Sequence, residues 1–478
     1  MLTYDLDRRG RLARYDYLYR CIREDILAGR LTAGEKLPSK RSLASHLQTA
    51  VITVENAYAQ LEAEGYLYTR EKRGYYVADV ERHHAAPGCG PAQSAPQRQR
   101  PWLLDLSSGG SGTEGFPFSV WARLMRRVLS EEGEALLRAT PPNGADALRE
   151  ALARHLYRFR GISAAPEQIV VGAGTEYLYN LIVQLLGREA VYGVEDPGYS
   201  KAAHIYALGG ARTAPVRVDE GGVCAASLEV SGAQILHTSP NHQFPTGAVM
   251  PIGRRQSLLR WAEEQKDRYI IEDDYDSEIR YNGRLIMPLF ADDASDKVIY
   301  LNAFSKTMVP SLRISYMVLP PKLLARYVDT MSFYSCTVSS FEQYALARFI
   351  DEGHFERHIN RTRNFYRHQR ATVLRAIGES PLAAISHVEE RNAGTHFLLY
   401  VRTQLSRDEI RRRGADLGLN ISLFNDYLLS DGGPNRTTKR FEEYSHGEAA
   451  IVVNYAGIEP DRVNETIRRL ARVFPECG

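Results

Sequence analysis

Residues 81–101, Glu-Arg-His-His-Ala-Ala-Pro-Gly-Cys-Gly-Pro-Ala-Gln-Ser-Ala-Pro-Gln-Arg-Gln-Arg-Pro, divide this chain of 478 residues. The stretch holds four prolines, two glycines and no large aliphatic residue, too little apolar surface to offset the entropy of ordering it. Structureless runs of this length are unusual inside a compact domain, so the stretch is read as a linker. It separates a small unit, 1–80, from a large one, 102–478. That division suits a binding module tethered to an enzyme-sized body. A composition of 44% hydrophobic and 25% charged residues excludes wholesale disorder. No run approaches the ~20 apolar residues of a membrane span. The start, Met1-Leu2-Thr3-Tyr4-Asp5, lacks the basic and apolar segments of a signal peptide, so a cytoplasmic protein without a membrane partner is expected. Cys21, Cys89, Cys224, Cys336 and Cys477 form no Cys-x-x-Cys pair, which predicts reduced thiols and no metal site. A net charge of +2 leaves nucleic-acid binding undecided.

In the small unit, Leu12, Tyr15, Leu18, Tyr19, Ile22 and Ile26 recur at helical spacing before Gly29, predicting a first helix. Leu37-Pro38-Ser39 opens a second through Leu47, with Ser39 or Ser42 as cap. A third spans Ala50 to Glu64, with Val51, Val54, Ala57, Tyr58 and Leu61 inward. Tyr66–Arg70 and Tyr75–Val77 alternate as strands around Glu71-Lys72-Arg73-Gly74, a hairpin with a basic tip.

The large unit alternates short apolar runs with helical patterns, the mark of an α/β fold with a mostly parallel sheet, helices on both faces and ligands at the strand C-terminal ends. Gln168–Val171, Ala233–Thr238, Tyr269–Ile271 and Val298–Leu301 are the clearest strands. The acids Glu272, Asp273 and Asp274 leave one strand end and Lys306 leaves another. Each alone reads equally well as a solvated turn or an inert surface lysine. Together they match what pyridoxal 5'-phosphate requires: an amine for a Schiff base and a carboxylate for the pyridine nitrogen. Gly172-Ala173-Gly174-Thr175 at a strand-to-helix turn suits a phosphate cradle. Arg313, seven residues beyond Lys306, adds a guanidinium. His354 and His358, four apart on a predicted helix, lack a metalloprotease Glu and are read as a solvated face.

The run Gly34-Glu35-Lys36-Leu37-Pro38-Ser39-Lys40-Arg41-Ser42-Leu43-Ala44, with Thr53-Val54 and Glu64-Gly65-Tyr66-Leu67, resembles the winged helix-turn-helix of the GntR regulators. Glu195-Asp196-Pro197-Gly198-Tyr199, His242-Gln243-Phe244-Pro245-Thr246-Gly247, Glu272-Asp273-Asp274-Tyr275, Phe304-Ser305-Lys306-Thr307 and Pro310-Ser311-Leu312-Arg313 resemble the fold type I aminotransferase body fused to such a module in the MocR/GabR family. The resemblance implies that Lys306 carries the cofactor, Asp273 meets the ring nitrogen and Tyr275 the phenolic oxygen. It sets Tyr199 against the ring, gives the phosphate to Gly174, Thr175 and Arg313, and brings Asn241, His242 or Gln243 to the ring substituents, Asn241 being preferred. Double-stranded DNA falls to Ser39, Arg41, Thr49, Thr53, Asn56, Lys72 and Arg73. A homodimer with swapped N-terminal domains is implied as well.

Several positions depart from the family pattern. Ala50-Val51-Ile52 replaces a polar trio ahead of the recognition residues. Ala303 stands where a phosphate-binding hydroxyl is usual, with Ser305 as a substitute. Lys201 replaces an arginine that takes an effector carboxylate, and Ile451–Tyr455 holds no clamp arginine, leaving Arg436 or Arg440. Ala139 replaces a tyrosine that reaches the partner's phosphate. These changes disfavour transamination, which holds two successive substrates in reactive geometry. The expected function is a transcriptional regulator that senses an amino compound by aldimine exchange at Lys306. The alternatives are an active aminotransferase with a vestigial DNA-binding domain and a scaffold sensing the vitamer itself.

Overall fold

Leu18, Ile22 and Ile26 line one face of α1 (Arg14–Leu27) and form the core of the small unit with Leu43, Val54, Ala57, Tyr58 and Leu61. In the computed structural model the described residues are 2–80, 102–107, 115–281, 285–389, 393–429 and 447–474. The chain divides into two units, Met1–Gln99 and Arg100–Gly478. Helix α2 (Lys40–His46) is capped by Ser39, whose hydroxyl accepts the Ser42 N–H at 3.1 Å. Helix α3 (Val51–Ala63) is held to the segment before α2 by the Tyr58 hydroxyl, which donates to the Pro38 carbonyl at 3.0 Å. Strands β1 (Leu67–Arg70) and β2 (Gly74–Val77) pair antiparallel, Leu67 opposite Val77. One inward assignment fails. Val51 is 43% exposed and Ile52 58%, because they form the first turn of α3 while the core begins at Val54.

The large unit is built on eight strands: β3 (Ile169–Gly172), β4 (Val191–Asp196), β5 (Arg212–Asp219), β6 (Gly222–Val223), β7 (Ile235–Thr238), β8 (Tyr269–Asp273), β9 (Val298–Ala303) and β10 (Ser315–Val318). Their order is β3-β10-β9-β8-β7-β4-β5-β6. Strands β9, β8, β7, β4 and β5 run parallel, while β10 and β6 run antiparallel to their neighbours. Alternate residues of a strand face opposite sides, and both sides are covered. Ile169, Val171, Tyr300 and Val318 pack with α4 (Asp146–Arg160), whereas Val170, Ile299, Leu301 and Met317 pack with α5 (Thr175–Leu186). Two-sided burial explains why these strands read as continuous apolar runs rather than alternating ones. Short helices α6 (Ser200–Leu208) and α7 (Phe304–Thr307) follow β4 and β9, and the long α8 (His354–Gly378) precedes a second sheet. That sheet is antiparallel, with strands β11 (Ser386–Glu389), β12 (His396–Arg402), β13 (Ser422–Leu423) and β14 (Glu448–Asn454) in the order β11-β12-β14-β13.

The acids at the end of β8 are no solvated turn, for Glu272, Asp273 and Asp274 are all buried. Glu272 accepts the backbone N–H groups of Leu289 and Phe290 at 2.8 and 2.9 Å. Asp274 pairs with Arg160 at the end of α4, accepts the Tyr300 hydroxyl at 2.7 Å and the Ser277 hydroxyl at 2.9 Å, and takes an Asn241 N–H at 2.7 Å. Removing one partner of a buried ion pair leaves the other charge uncompensated. Arg160→Met should therefore destabilise the large unit by about 3–5 kcal/mol, seen as a lower denaturant midpoint for its unfolding transition. Loss of the α2 cap in Ser39→Ala should cost the small unit only about 1 kcal/mol.

Candidate functional site

The parallel strands β4, β7, β8 and β9 lie side by side, and residues at or just beyond their C-terminal ends wall a cavity of about 390 Å³. Such a volume lies within the roughly 300–1,000 Å³ of small-molecule sites. Strand β4 contributes Glu195, β7 His237, β8 Asp273 and β9 Ala303. Lys306 enters from α7, whose single turn begins directly after β9. Burial lowers its amine pKa from the usual lysine range, opposed by the charge of Asp276.

Asp273 is held from one side. Its Oδ2 accepts the Tyr179 hydroxyl at 2.5 Å and lies 3.4 Å from His237 Nε2, while His237 Nδ1 is 2.7 Å from the Tyr206 hydroxyl. Its Oδ1 is buried without a hydrogen-bond partner, although buried polar groups are nearly always paired. Tyr199 lines the same cavity; burial first, and then the Asp273 charge, push its phenol up to about 12. Burial also raises the Tyr275 phenol well above its ordinary value, with Asp276 the next cause. The Tyr275 hydroxyl is 3.1 Å from His242 Nδ1, which lies 2.8 Å from Asp276 Oδ2.

The glycine turn opens α5, with Gly174 at φ 91° ahead of Thr175. A Cβ on Gly174 would fall 2.3 Å from Arg313 Nη2, so the guanidinium lies over the helix N-terminus where a side chain would exclude it. Arg313 itself has a left-handed φ of 51°, a strained conformation for a non-glycine residue. Thr175, Ser305 and Arg313 line the cavity, as do Lys201 of α6 and Glu176. An unpaired carboxylate oxygen, a buried amine and an arginine over a helix N-terminus fit the ring nitrogen, carbonyl and phosphate of pyridoxal phosphate.

Two assignments are corrected. Asn241 is absent from the cavity wall; its amide donates to Asp274 Oδ1 and its oxygen accepts from Arg255 at 2.8 Å. It belongs to the buried polar network because Asp274 faces that network while Asp273 faces the cavity. His358 is only 2% exposed and its Nε2 lies 2.9 Å from the carbonyl oxygen of Thr307. It braces the turn that carries Lys306, and no helical charge pattern reveals that. His237, Tyr179 and His396 were missed as well. The only hint was His237, a histidine inside an apolar strand. His396 reaches the cavity because Gly394 precedes it at φ 77°, where a Cβ would fall 2.0 Å from His242 Cε1. Arg436 and Arg440, like His83, His84, Cys89 and Cys477, lie outside the described residues. Among the described residues no group of three or more His, Cys, Asp or Glu is placed to hold a metal ion, and no helix is long and apolar enough to cross a membrane.

In the small unit, Arg41, Asn56, Lys72 and Arg73 are exposed, Thr53 is half-buried, and Ser39 caps α2. Thr49 is a further correction: its Oγ1 is buried without a hydrogen-bond partner, so the hydroxyl faces the core side of the helix connection. Arg70, not singled out from the sequence, lies over the Tyr76 and Tyr68 rings at 4.9 and 5.5 Å. Lys40 Nζ, 2.6 Å from Glu55 Oε1, ties α2 to α3.

The family model of bacterial regulatory proteins of the gntR family matches residues 14–77, and that of aminotransferases class I and II matches residues 103–467. The chain is 37% identical over 474 residues to the uncharacterized HTH-type transcriptional regulator YdeL of Bacillus subtilis (strain 168), covering 98% of each. It is 31% identical over 485 residues to the probable rhizopine catabolism regulatory protein MocR of Rhizobium meliloti, covering 98% of this chain and 95% of that one. Among solved structures, an archaeal alanine:glyoxylate aminotransferase matches with a TM-score of 0.68 at 23% identity, over 78% of this chain and 91% of that chain. Aspartate aminotransferase from Thermus thermophilus with maleate matches with 0.63 at 21%, over 78% and 92%. Those likenesses establish the fold of the large unit. With a gntR-type winged helix at one end and a class I and II aminotransferase body at the other, the chain belongs to the MocR/GabR family of HTH-type transcriptional regulators.

Proposed function

We propose that this regulator binds pyridoxal phosphate in the cavity at Lys306 and senses a small amine there, while its winged helix binds double-stranded DNA. The observation that carries the reading is the bare, buried Oδ1 of Asp273 in the same cavity as the Lys306 amine. Bound pyridoxal phosphate supplies an aldehyde that condenses with amines and a ring that draws electrons when its nitrogen is protonated. Asp273 keeps that nitrogen protonated, with Tyr179 and His237 fixing the carboxylate. Lys306, its pKa lowered by burial, offers an unprotonated amine more readily than a solvated lysine does. Tyr275 donates to the phenolic oxygen, Tyr199 covers one ring face, and Gly174, Thr175 and Arg313 hold the phosphate, with Ser305 in place of the hydroxyl that Ala303 lacks. The protein acts in the cytoplasm as a homodimer, a state supported by the family resemblance alone.

On the DNA side, Arg41, Lys72 and Arg73 meet phosphates. Thr53 and Asn56 face the groove, and exposed Val51 and Ile52 suit thymine methyl groups. Signalling requires that the effector favour one arrangement of the protein over another.

Three outcomes are expected. After incubation with pyridoxal phosphate and borohydride reduction, mass spectrometry should find the pyridoxyl group on wild-type protein and none on folded Lys306→Ala; label retained by that variant ends the assignment. Cofactor loading should speed up as pH rises through the Lys306 pKa, below the usual lysine value. Because the Asp276 charge raises that pKa, Asp276→Asn should move the midpoint of the rate-against-pH curve to lower pH. Arg41→Ala should weaken binding to duplexes of unrelated sequence alike and reduce the salt slope by about 1, measured by fluorescence anisotropy. Sustained keto-acid release without DNA binding would favour the aminotransferase alternative.

A further inference from the structure

The phosphate end of the cavity carries a carboxylate for which the cofactor has no use. Glu176, in the first turn of α5, has Oε2 3.3 Å from Arg313 Nη2 and Oε1 3.6 Å from Lys201 Nζ. All three line the cavity. The side chains of Glu176, Arg313 and Lys201 are 45%, 50% and 63% exposed, so the bridge spans the wet mouth of the site and rearranges at low cost. Arg313 is the constrained member, fixed by its left-handed backbone and by the close approach of its guanidinium to Gly174. When Arg313 turns to a phosphate dianion, Glu176 keeps one cation, Lys201.

Among the described residues, the other charges of the cavity wall offer no substitute for Lys201. Arg313 is committed to the phosphate, and Lys306 is bonded to the cofactor until an amine displaces it, when burial disfavours its charged form. His237 faces Asp273. Burial first, then the neighbouring His242, hold the His396 imidazole well below its usual value and so neutral. Glu195 and Asp273 add carboxylates to the wall. Among the described residues, a carboxylate on an effector finds only a lysine that Glu176 already neutralises.

We infer that Glu176 sets effector specificity: by pairing with Lys201 it selects an amine lacking a carboxylate, with preference for one carrying a second ammonium group. The inference rests on the proposed cofactor site and deepens it. A second ammonium at the mouth meets Oε2 of Glu176, the oxygen that Arg313 releases, whereas a carboxylate there must first displace Glu176 from Lys201.

The test uses the full chain loaded with pyridoxal phosphate and three probes of matched length: pentylamine, cadaverine and δ-aminovalerate. Each is titrated while the visible absorbance of the bound cofactor is followed. Wild-type protein should respond at the lowest concentration to cadaverine and at the highest to δ-aminovalerate. Glu176→Gln keeps the shape and removes the charge. It should shift the preference toward δ-aminovalerate by about fivefold, the most that an exposed ion pair is worth. Adding Lys201→Gln to that variant should cancel the gain. Wild-type preference for δ-aminovalerate, an unchanged order in Glu176→Gln, or no response to any probe in either protein overturns the inference. Protein that takes up no chromophore at all overturns the underlying cofactor site instead, so the two failures are distinct.

Discussion

One carboxylate with a single bare oxygen organises the large unit. Tyr179 and His237 occupy one side of Asp273, and Oδ1 is left buried and unpaired. Leaving such a group unsatisfied costs roughly 1–3 kcal/mol, and the fold supports that cost through its sheet. Asp273 ends β8 opposite Leu301 of β9, two residues before that strand stops at Ala303. The ring-nitrogen acceptor and the turn bearing Lys306 are therefore set by parallel backbone pairing rather than by long side chains. A site built in this way keeps its geometry before any ligand arrives, which is what electrostatic preorganisation requires.

The layer beneath the cavity separates two kinds of acid. Glu272 and Asp274 are neighbours of Asp273, yet both are satisfied, the first by backbone N–H groups at 289–290 and the second by Arg160, Tyr300, Ser277 and Asn241. Burial drives the Glu272 carboxyl up to about 7, with the Asp274 charge the next contribution. Only the middle acid of the three faces the cavity. The same network fixes the loop after β7 through Asn241, which serves the scaffold, while His237, inside the strand, serves the site.

Much of the fold was legible because its signals are local. Gln168–Val171, Tyr269–Ile271 and Val298–Leu301 read as strands from a few consecutive apolar residues, against Ile169–Gly172, Tyr269–Asp273 and Val298–Ala303 in the structure, and the cap of α2 read as Ser39 or Ser42 from hydroxyls at a helix start. Lys306, Asp273, Thr175 and Arg313 were found because each lies at or just past a strand end or a turn, Tyr199 through the resemblance its motif carries, and the structure brings all five to one cavity. What escaped depends on contacts distant in sequence. His358 reaches the Thr307 carbonyl across 51 positions, and Tyr179 reaches Asp273 across 94. No periodicity in either segment records its partner. Thr49 and Val51 failed for a related reason. Residues at a helix connection show the same local pattern whether they face the core or the solvent, and packing alone settles which.

By itself, then, the amino-acid order determined the two-unit division, the winged helix, the parallel sheet and the residue types gathered at its strand ends, since propensity, apolar runs and turn chemistry act over a few residues. The tertiary structure alone decided which acid of three is left bare, that Asn241 braces the scaffold, that Gly394 admits His396, and that Glu176 stands between Arg313 and Lys201. Those outcomes depend on burial and on distances of a few ångströms between segments far apart in the chain, and charge and hydrogen bonding take their value only after those segments meet.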